Sequence, residues 1–168
     1  MTTLYLTRHG ETVDNVNKIM QGQTQGQLSD NGRRQALGLS VQLADVHFDA
    51  IVSSDLRRAV QTAQVVADSR GITVTETPLL RERDWGGFTG RYIPSLKDEP
   101  WPDDIESAED LLARASEFLA WVKANYKDKQ ILAVGHGIID KAIQSVYYGK
   151  LMREILPMSN CEVRVLSL

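Results

Sequence analysis

Two short apolar runs that each end in a His-Gly pair constrain this chain more than any other feature. Residues 3–7 lead into Arg8, His9 and a glycine, and residues 130–134 lead through a glycine into His136 and another glycine. In an open α/β sheet, ligand sites lie beyond the carboxyl ends of strands. Two such imidazoles can therefore meet over one pocket, and an arginine beside the first suggests that the pocket binds an anion.

The rest of the chain alternates between strand-like and helix-like patterns. Strands are predicted at about 3–7, 49–53, 72–77, 130–134 and 161–168, and helices from a cap at Ser29 or Asp30 to about 46, at 55–70 before Gly71, at 107–126, and after the second His-Gly pair as far as Gly149. Strands that alternate with helices predict an α/β fold in layers.

Composition narrows the classes of protein. The 168 residues suit one domain, spanning 1–168, and carry 22 acidic against 19 basic side chains. No basic nucleic-acid surface is implied, and no apolar run approaches the roughly 18 residues of a membrane span. A single cysteine, Cys161, permits no internal disulfide and makes a zinc site unexpected. We therefore expect a cytoplasmic protein that binds neither nucleic acid nor membrane, and no metal or cofactor.

A helix N-terminus after the second predicted strand offers a further anion-binding element. Two adjacent arginines, Arg57 and Arg58, lie in its first turn. Neighbouring helical side chains point about 100° apart, so only one of the two can face a pocket. Arg57 shares its stripe with polar residues, whereas Arg58 borders the apolar face, and we therefore predict that Arg58 lines the pocket.

A candidate general acid lies in a long stretch rich in proline, glycine and tryptophan, predicted to be an irregular, ordered loop over 78–106. A carboxyl group close to Trp85 and Phe88 can serve as a proton donor. Glu82 and Asp84 both satisfy this condition, and spacing alone does not choose between them.

Four ordered motifs together resemble the histidine phosphatase superfamily, in its phosphoglycerate mutase-like branch. They are Arg-His-Gly-Glu-Thr at 8–12, Ser-Asp-Leu-x-Arg-Ala-x-x-Thr-Ala at 54–63, Leu-x-Glu-x-x-x-Gly at 80–86 and Gly-His-Gly at 135–137. The resemblance implies a three-layer α/β/α sandwich with a mostly parallel sheet. It also implies His9 as the phosphorylated nucleophile, Glu82 rather than Asp84 as proton donor, Arg8, Arg58 and His136 around the phosphoryl oxygens, and Asn15, Gln21 and Gly22 on the substrate side.

The implied activity is a metal-independent phosphatase acting on a small phosphorylated metabolite. Two arginines would bind the phosphoryl oxygens as forks, and His9 would form a phosphohistidine. The 91–106 segment is short for the lid with which a mutase excludes water, which favours hydrolysis. A phosphoglycerate-type mutase, a phosphohistidine protein phosphatase and an inactive protein that binds a phosphorylated ligand remain alternatives. The sequence indicates neither the substrate nor the oligomeric state.

Overall fold

Five strands form a single sheet in the structure, a computed structural model that describes residues 1–168. The strands are β1 (Thr3–Arg8), β2 (Ala50–Ser54), β3 (Val74–Thr77), β4 (Gln130–Gly135) and β5 (Val163–Ser167). Their order across the sheet is β3-β2-β4-β1-β5, and only β5 runs antiparallel to its neighbour. All five strands were predicted, and the mostly parallel α/β sheet is confirmed.

Five α-helices accompany the sheet. They are α1 (Val13–Asn17), α2 (Asp30–Gln42), α3 (Arg57–Asp68), α4 (Ala108–Asn125) and α5 (Gly137–Tyr148). The last four were predicted, whereas α1 was not, because five residues are too few to show a helical period. The predicted loop over 78–106 contains no α-helix or strand; its helical turns are 3₁₀, at Pro78–Leu80, Gly86–Phe88 and Ile93–Leu96.

Helix ends follow the local chemistry of their capping residues. Ser29, rather than Asp30, is the N-cap of α2, since its hydroxyl accepts from the Gly32 N–H. Gly71 has φ +64°, the left-handed conformation expected just beyond a helix. The prediction that α2 extends to about 46 was wrong, because beyond Leu43 the N–H groups of Ala44 and Val46 form i→i−3 bonds and the helix closes in a tighter turn.

Alternation along β4 shows how the layers are built. Ile131 and Ala133 belong to one apolar cluster with side chains from α4 and α5, while Leu132 and Val134 belong to another with side chains from α2 and α3. Successive side chains of a strand point to opposite faces of a sheet, so each face of β4 is covered by a different helical pair. The result is the three-layer sandwich. No helix is both long and apolar enough to span a membrane.

Strand order places the two His-Gly pairs side by side. β1 and β4 are adjacent and parallel, with Arg8 opposite Gly135 in the register, and the His9 N–H donates to the Gly135 carbonyl. β2 lies on the other side of β4 and brings its last residue, Ser54, to the same edge. The carboxyl ends of three strands therefore meet where the first candidate residues lie.

Candidate active site

The imidazole rings of His9 and His136 lie next to each other. Their centroids are 5.0 Å apart with an interplanar angle of 63°, and the residues are only 2% and 0% exposed. The convergence predicted from the two strand ends is therefore present in the fold.

His9 has one ring nitrogen fixed by its own backbone turn. Nδ1 lies 2.7 Å from the Gly10 carbonyl oxygen, which only accepts, so Nδ1 carries the proton and Nε2 keeps its lone pair. Burial, with the nearby positive charge of Arg58, holds the pKa of His9 well below its usual value. Asn160 donates to the His9 carbonyl at 2.9 Å and steadies the same turn. A neutral imidazole with a free Nε2 is a nucleophile at neutral pH.

His136 has both ring nitrogens occupied. Arg58 Nε donates to Nδ1 at 3.2 Å, so the proton of the neutral ring lies on Nε2, which donates to Ser54 Oγ at 2.6 Å. Burial and the charge of Arg58 keep the pKa of His136 well below its usual value. His136 therefore holds Arg58 rather than presenting a free N–H to a ligand.

A cavity of about 280 Å³ opens beside these rings. Seven of the predicted site residues line it, namely Arg8, His9, Asn15, Gln21, Gly22, Arg58 and Glu82, and the rest of its lining is Ile19, Met20, Trp85, Ile93, Gly137, Ile138, Lys141, Pro157 and Met158. His136 is the one predicted site residue that does not line the cavity. The structure thus gathers residues from four separated motifs around one pocket.

Arg58 is buried and held by the loop that follows α1. Its Nη2 donates to the Gly22 carbonyl at 2.7 Å, and its Nη1 donates to the carbonyls of Thr24 and Gln25. With Nε bound to His136, a single N–H remains for a ligand. Burial lowers the pKa of Arg58 to about 10, which still leaves it charged at neutral pH. The forked contact predicted for Arg58 is therefore not open in this arrangement.

Arg8 is the opposite case. Its one protein acceptor is the Met158 carbonyl, 3.0 Å from Nη1, and its buried Nε has no partner. The guanidinium lies beside Gly137, at ordinary contact distance from where a Cβ would be (3.6 Å to Arg8 Cζ). Arg8 is thus the arginine that offers several unpaired donors to an anion.

Glu82 is fixed by the N-terminus of α5. Its carboxylate accepts from the backbone N–H groups of Ile138 and Ile139 at 3.1 Å, and from that of Arg83 at 2.9 Å. Asp84, the other sequence candidate, is exposed and accepts from the N–H of its own turn at Gly86. The structure therefore separates two carboxylates that spacing left equivalent, and only Glu82 lines the cavity.

Asn15 and Gln21 add neutral polar groups to the lining. Asn15 Oδ1 accepts from the Thr12 N–H at 3.1 Å in the capping box of α1, so its amide NH₂ is left for a ligand. Gln21 is buried, and its Oε1 has no partner. Gly22 adopts φ +52°, which turns the chain so that its carbonyl meets Arg58.

Comparison of the sequence with known proteins identifies the family. Residues 4–168 fit the histidine phosphatase superfamily, branch 1. The chain belongs to this superfamily. It is 35% identical to the protein named "Uncharacterized phosphatase PhoE" of Bacillus subtilis, over 82% of this chain and 72% of that protein. It is 32% identical to "Probable phosphoglycerate mutase GpmB" of an Enterobacter species, over 97% of this chain and 83% of that protein.

Solved structures agree with the same assignment. A mycobacterial glucosyl-3-phosphoglycerate phosphatase in complex with VO3 superposes with a TM-score of 0.91 at 30% identity, covering 98% of this chain and 92% of that one. YhfR of Bacillus stearothermophilus gives a TM-score of 0.90 at 30% identity, covering 100% of this chain and 92% of that one. With phosphatases among both sequence relatives and structural neighbours, this histidine phosphatase is a phosphoric monoester hydrolase.

Several residues around this histidine phosphatase site were not predicted from the sequence. Ser54 lies in one of the motifs and had no predicted role, yet its hydroxyl accepts from His136 Nε2 and holds the ring in place. Lys141 lines the cavity, and its position one helical turn after Gly137 was the available signal. Asp140 is fully buried with both carboxyl oxygens unpartnered, and a lone acidic residue in an apolar helix was the only sign of it.

No group of three or more histidine, cysteine, aspartate or glutamate side chains is arranged to hold a metal ion. The two histidines at the site use their nitrogens for Gly10, Arg58 and Ser54, apart from His9 Nε2. Metal independence remains a prediction, to be tested with a chelator.

Proposed function

We propose that the chain is a metal-independent phosphatase that hydrolyses phosphomonoesters of small metabolites through a phosphohistidine intermediate. One observation carries the proposal: His9 is buried and neutral, with Nδ1 tied to Gly10 and Nε2 free, next to the unpaired donors of Arg8. A nucleophile of this kind beside an anion-binding group fits covalent phosphoryl transfer.

In the first step, His9 Nε2 attacks phosphorus, the P–N bond forms and the P–O bond to the alcohol breaks. Arg8 binds the phosphoryl oxygens with its unpaired N–H groups, and Arg58 and the Asn15 amide contribute one donor each. Glu82, fixed by the α5 N–H groups, donates its proton to the leaving alcohol.

In the second step, water attacks the phosphohistidine. Glu82, now ionised, takes a proton from the water, the P–N bond breaks, and His9 and inorganic phosphate are released. The same carboxyl group thus acts as acid and then as base, so one well-positioned residue serves both halves of the reaction.

Hydrolysis is favoured over mutase activity by the open mouth of the cavity. Ile93, in the short 91–106 segment, lines the cavity and is 45% exposed, which supports access of water to the intermediate. A mutase must keep water away while its intermediate waits for reorientation of the substrate. Relatives named as mutases make this the alternative that deserves a direct assay.

The first experiment assays nitrophenyl phosphate with the purified protein in excess EDTA. We expect hydrolysis to survive the chelator and an acid-labile, base-stable phosphate label to appear on His9. No turnover with retained phosphate binding would instead identify an inactive binding protein.

With 3-phosphoglycerate as substrate, release of inorganic phosphate supports a phosphatase, and formation of the isomer supports a mutase. Faster removal of phosphate from a phosphohistidine protein than from any ester would identify a protein phosphatase.

The second experiment tests the acid. Glu82→Gln keeps the shape but has no proton to donate, so hydrolysis of an alkyl phosphate should fall about 10²–10⁴-fold. Nitrophenyl phosphate, whose leaving group needs little protonation, should lose much less. Asp84→Gln is the matched control and should leave both rates near wild type. Equal losses on both esters for Glu82→Gln would contradict the acid role.

A cytoplasmic location, a small phosphorylated metabolite as partner and the absence of nucleic-acid or membrane binding stay predictions from composition and resemblance. The cavity volume of about 280 Å³ supports a small-molecule substrate.

A further inference from the structure

The cavity has two chemically different halves. The groups assigned to phosphate chemistry are polar or charged, namely Arg8, His9, Asn15, Arg58 and Glu82, whereas most of the remaining lining is apolar. Seven of these remaining residues are apolar: Ile19, Met20, Trp85, Ile93, Ile138, Pro157 and Met158. The phosphate end of a substrate would thus enter a charged interior, and its alcohol end would contact apolar side chains.

One apolar wall is held by main-chain bonds between two segments that are distant in sequence. Met20 N–H donates to the Arg91 carbonyl at 2.9 Å, and Ile93 N–H donates to the Lys18 carbonyl at 2.8 Å. Ile19 also pairs with the 91–93 segment through an antiparallel bridge. Ile19, Met20 and Ile93 therefore form a surface that exists before any ligand binds.

Trp85, in another part of the lining, is also held in place by its neighbours. Trp85 packs edge-on against Trp101 at 5.4 Å, and the Arg83 guanidinium lies 5.0 Å from the centre of its ring. Ile138, in the first turn of α5, and Pro157 add further apolar atoms. A preformed apolar surface binds an apolar group without first paying for its own ordering.

Partners for hydroxyl or carboxylate groups are scarce at the mouth. Beyond the residues used for the phosphate, the polar lining is Gln21 and a single cation, Lys141. A polyol that buried its hydroxyls against these isoleucines would lose hydrogen bonds to water without replacement. The lining therefore discriminates against sugar phosphates as well as accepting apolar groups.

We propose that the preferred substrates are monophosphate esters of uncharged, largely apolar alcohols, aliphatic or aromatic. The inference rests on the proposed phosphatase function and specifies its substrate class. Ile19, Ile93 and Trp85 are the specificity-determining residues, because they lie in the two supported parts of the apolar lining and are not needed to bind the phosphate.

The test measures kcat/KM for n-alkyl phosphates from ethyl to octyl, together with glycerol 3-phosphate and 3-phosphoglycerate. The alkyl leaving groups are chemically alike, so their differences report binding of the chain. We expect kcat/KM to rise up to about fourfold for each methylene until the apolar surface is covered. Both polar substrates should fall below propyl phosphate.

Ile93→Ser tests the assigned surface. Ile93 is 45% exposed, so the change should not prevent folding, and it should reduce the ratio of hexyl to ethyl phosphate by about tenfold. Leu37→Ser is the matched control, because Leu37 is 59% exposed on α2 and outside the cavity. An unchanged ratio in Ile93→Ser, or an equal fall in the control, would overturn the assignment.

Lys141, the one cation in the lining outside the phosphate-binding groups, could instead favour substrates with a second negative charge. If Lys141 selects a second negative group, 3-phosphoglycerate will exceed hexyl phosphate, and Lys141→Met will remove that preference; this result would overturn the proposal. Calorimetric binding of n-alkylphosphonates, which cannot be hydrolysed, separates the two hypotheses. Affinity that rises with chain length supports the substrate class even if turnover fails, whereas equal affinities overturn it even if nitrophenyl phosphate is hydrolysed.

Discussion

The two His-Gly strand ends look alike in sequence and differ in what they do. At the end of β1, His9 keeps one ring nitrogen free and lines the cavity. At the end of β4, His136 has both nitrogens bonded, to Arg58 and Ser54, and does not line the cavity. The same local pattern thus leaves a ring nitrogen free in one place and gives an imidazole that holds an arginine in the other.

The difference follows from neighbours rather than from the motif. β1 lies between β4 and β5, and the turn after it places the Gly10 carbonyl against His9 Nδ1. β4 lies between β1 and β2, which brings Ser54 and the helix carrying Arg58 against His136. His9 is therefore available as the proposed nucleophile because its second nitrogen finds no protein partner.

The largest expected effect is the loss of the nucleophile. His9→Ala should reduce kcat/KM for nitrophenyl phosphate by at least about 10⁴-fold and abolish the phosphoenzyme, because no other free imidazole nitrogen lines the cavity. Rapid-quench labelling measures both. A label that persisted in His9→Ala would assign the nucleophile elsewhere.

His136→Gln should have a smaller effect of a different kind. Arg58 loses a fixed acceptor and shifts, so kcat/KM should fall about 10²-fold while the phosphoenzyme still forms. Inhibition by inorganic phosphate should weaken in parallel, since Arg58 contributes to the anion site. Ser54→Ala, which removes one hydrogen bond from the same ring, should give a milder form of both changes. Complete loss of labelling in His136→Gln would erase the distinction between the two histidines.

The free energy of unfolding should depend on pH through the two buried histidines, His9 and His136, and not through the exposed His47. The pKa values of His9 and His136 are lowered in the fold, mainly by burial, whereas the unfolded chain titrates near 6.5. Below pH 6.5 the unfolded state therefore binds more protons, and the free energy of unfolding should fall with decreasing pH, by up to about 1.4 kcal/mol per unit for each ring.

Urea denaturation between pH 6.5 and 5.5 measures this slope. His136→Gln should reduce it, whereas His47→Gln should not, because the His47 side chain is 83% exposed. The same argument places the acidic limb of kcat/KM below pH 6.5, since His9 stays neutral there. A limb at or above 6.5 assigned to His9 would contradict the buried, neutral imidazole.

The buried carboxyl group of Asp140 should change the free energy of unfolding with pH in the opposite direction to the two histidines. Burial, with the nearby charge of Glu82, raises the pKa of Asp140 well above its usual value, so above about pH 3.8 the folded state binds the extra proton. The free energy of unfolding should therefore fall as pH rises past that value, until the folded carboxyl ionises. Asp140→Asn should remove this fall and gain stability relative to wild type with rising pH, by up to about 1.4 kcal/mol per unit. Asp103→Asn, at an exposed position, is the control and should show no such gain.

Local chemistry in the sequence determined the elements and much of the site. Alternating apolar residues, a capping serine at 29 and a glycine at 71 marked strands and helix ends without reference to the rest of the chain. Strand ends followed by His-Gly placed His9 and His136 at one edge of a parallel sheet, and the helical stripe separated Arg58 from Arg57. Alternation, capping residues and helical stripes depend only on residues that are close together in the chain, so they can be identified from the sequence.

Only the tertiary structure decided which atoms are free to react. Glu82 and Asp84 are two residues apart, and contact with the first turn of α5 is what places Glu82 at the cavity. Arg8, rather than Arg58, has a guanidinium free to bind an anion with two N–H groups. The guanidinium of Arg58 is instead bonded to carbonyls of a loop 33 or more residues away in the sequence. Hydrogen-bond partners come from distant segments once the sheet order is fixed, so no local pattern records whether a nitrogen is occupied or available.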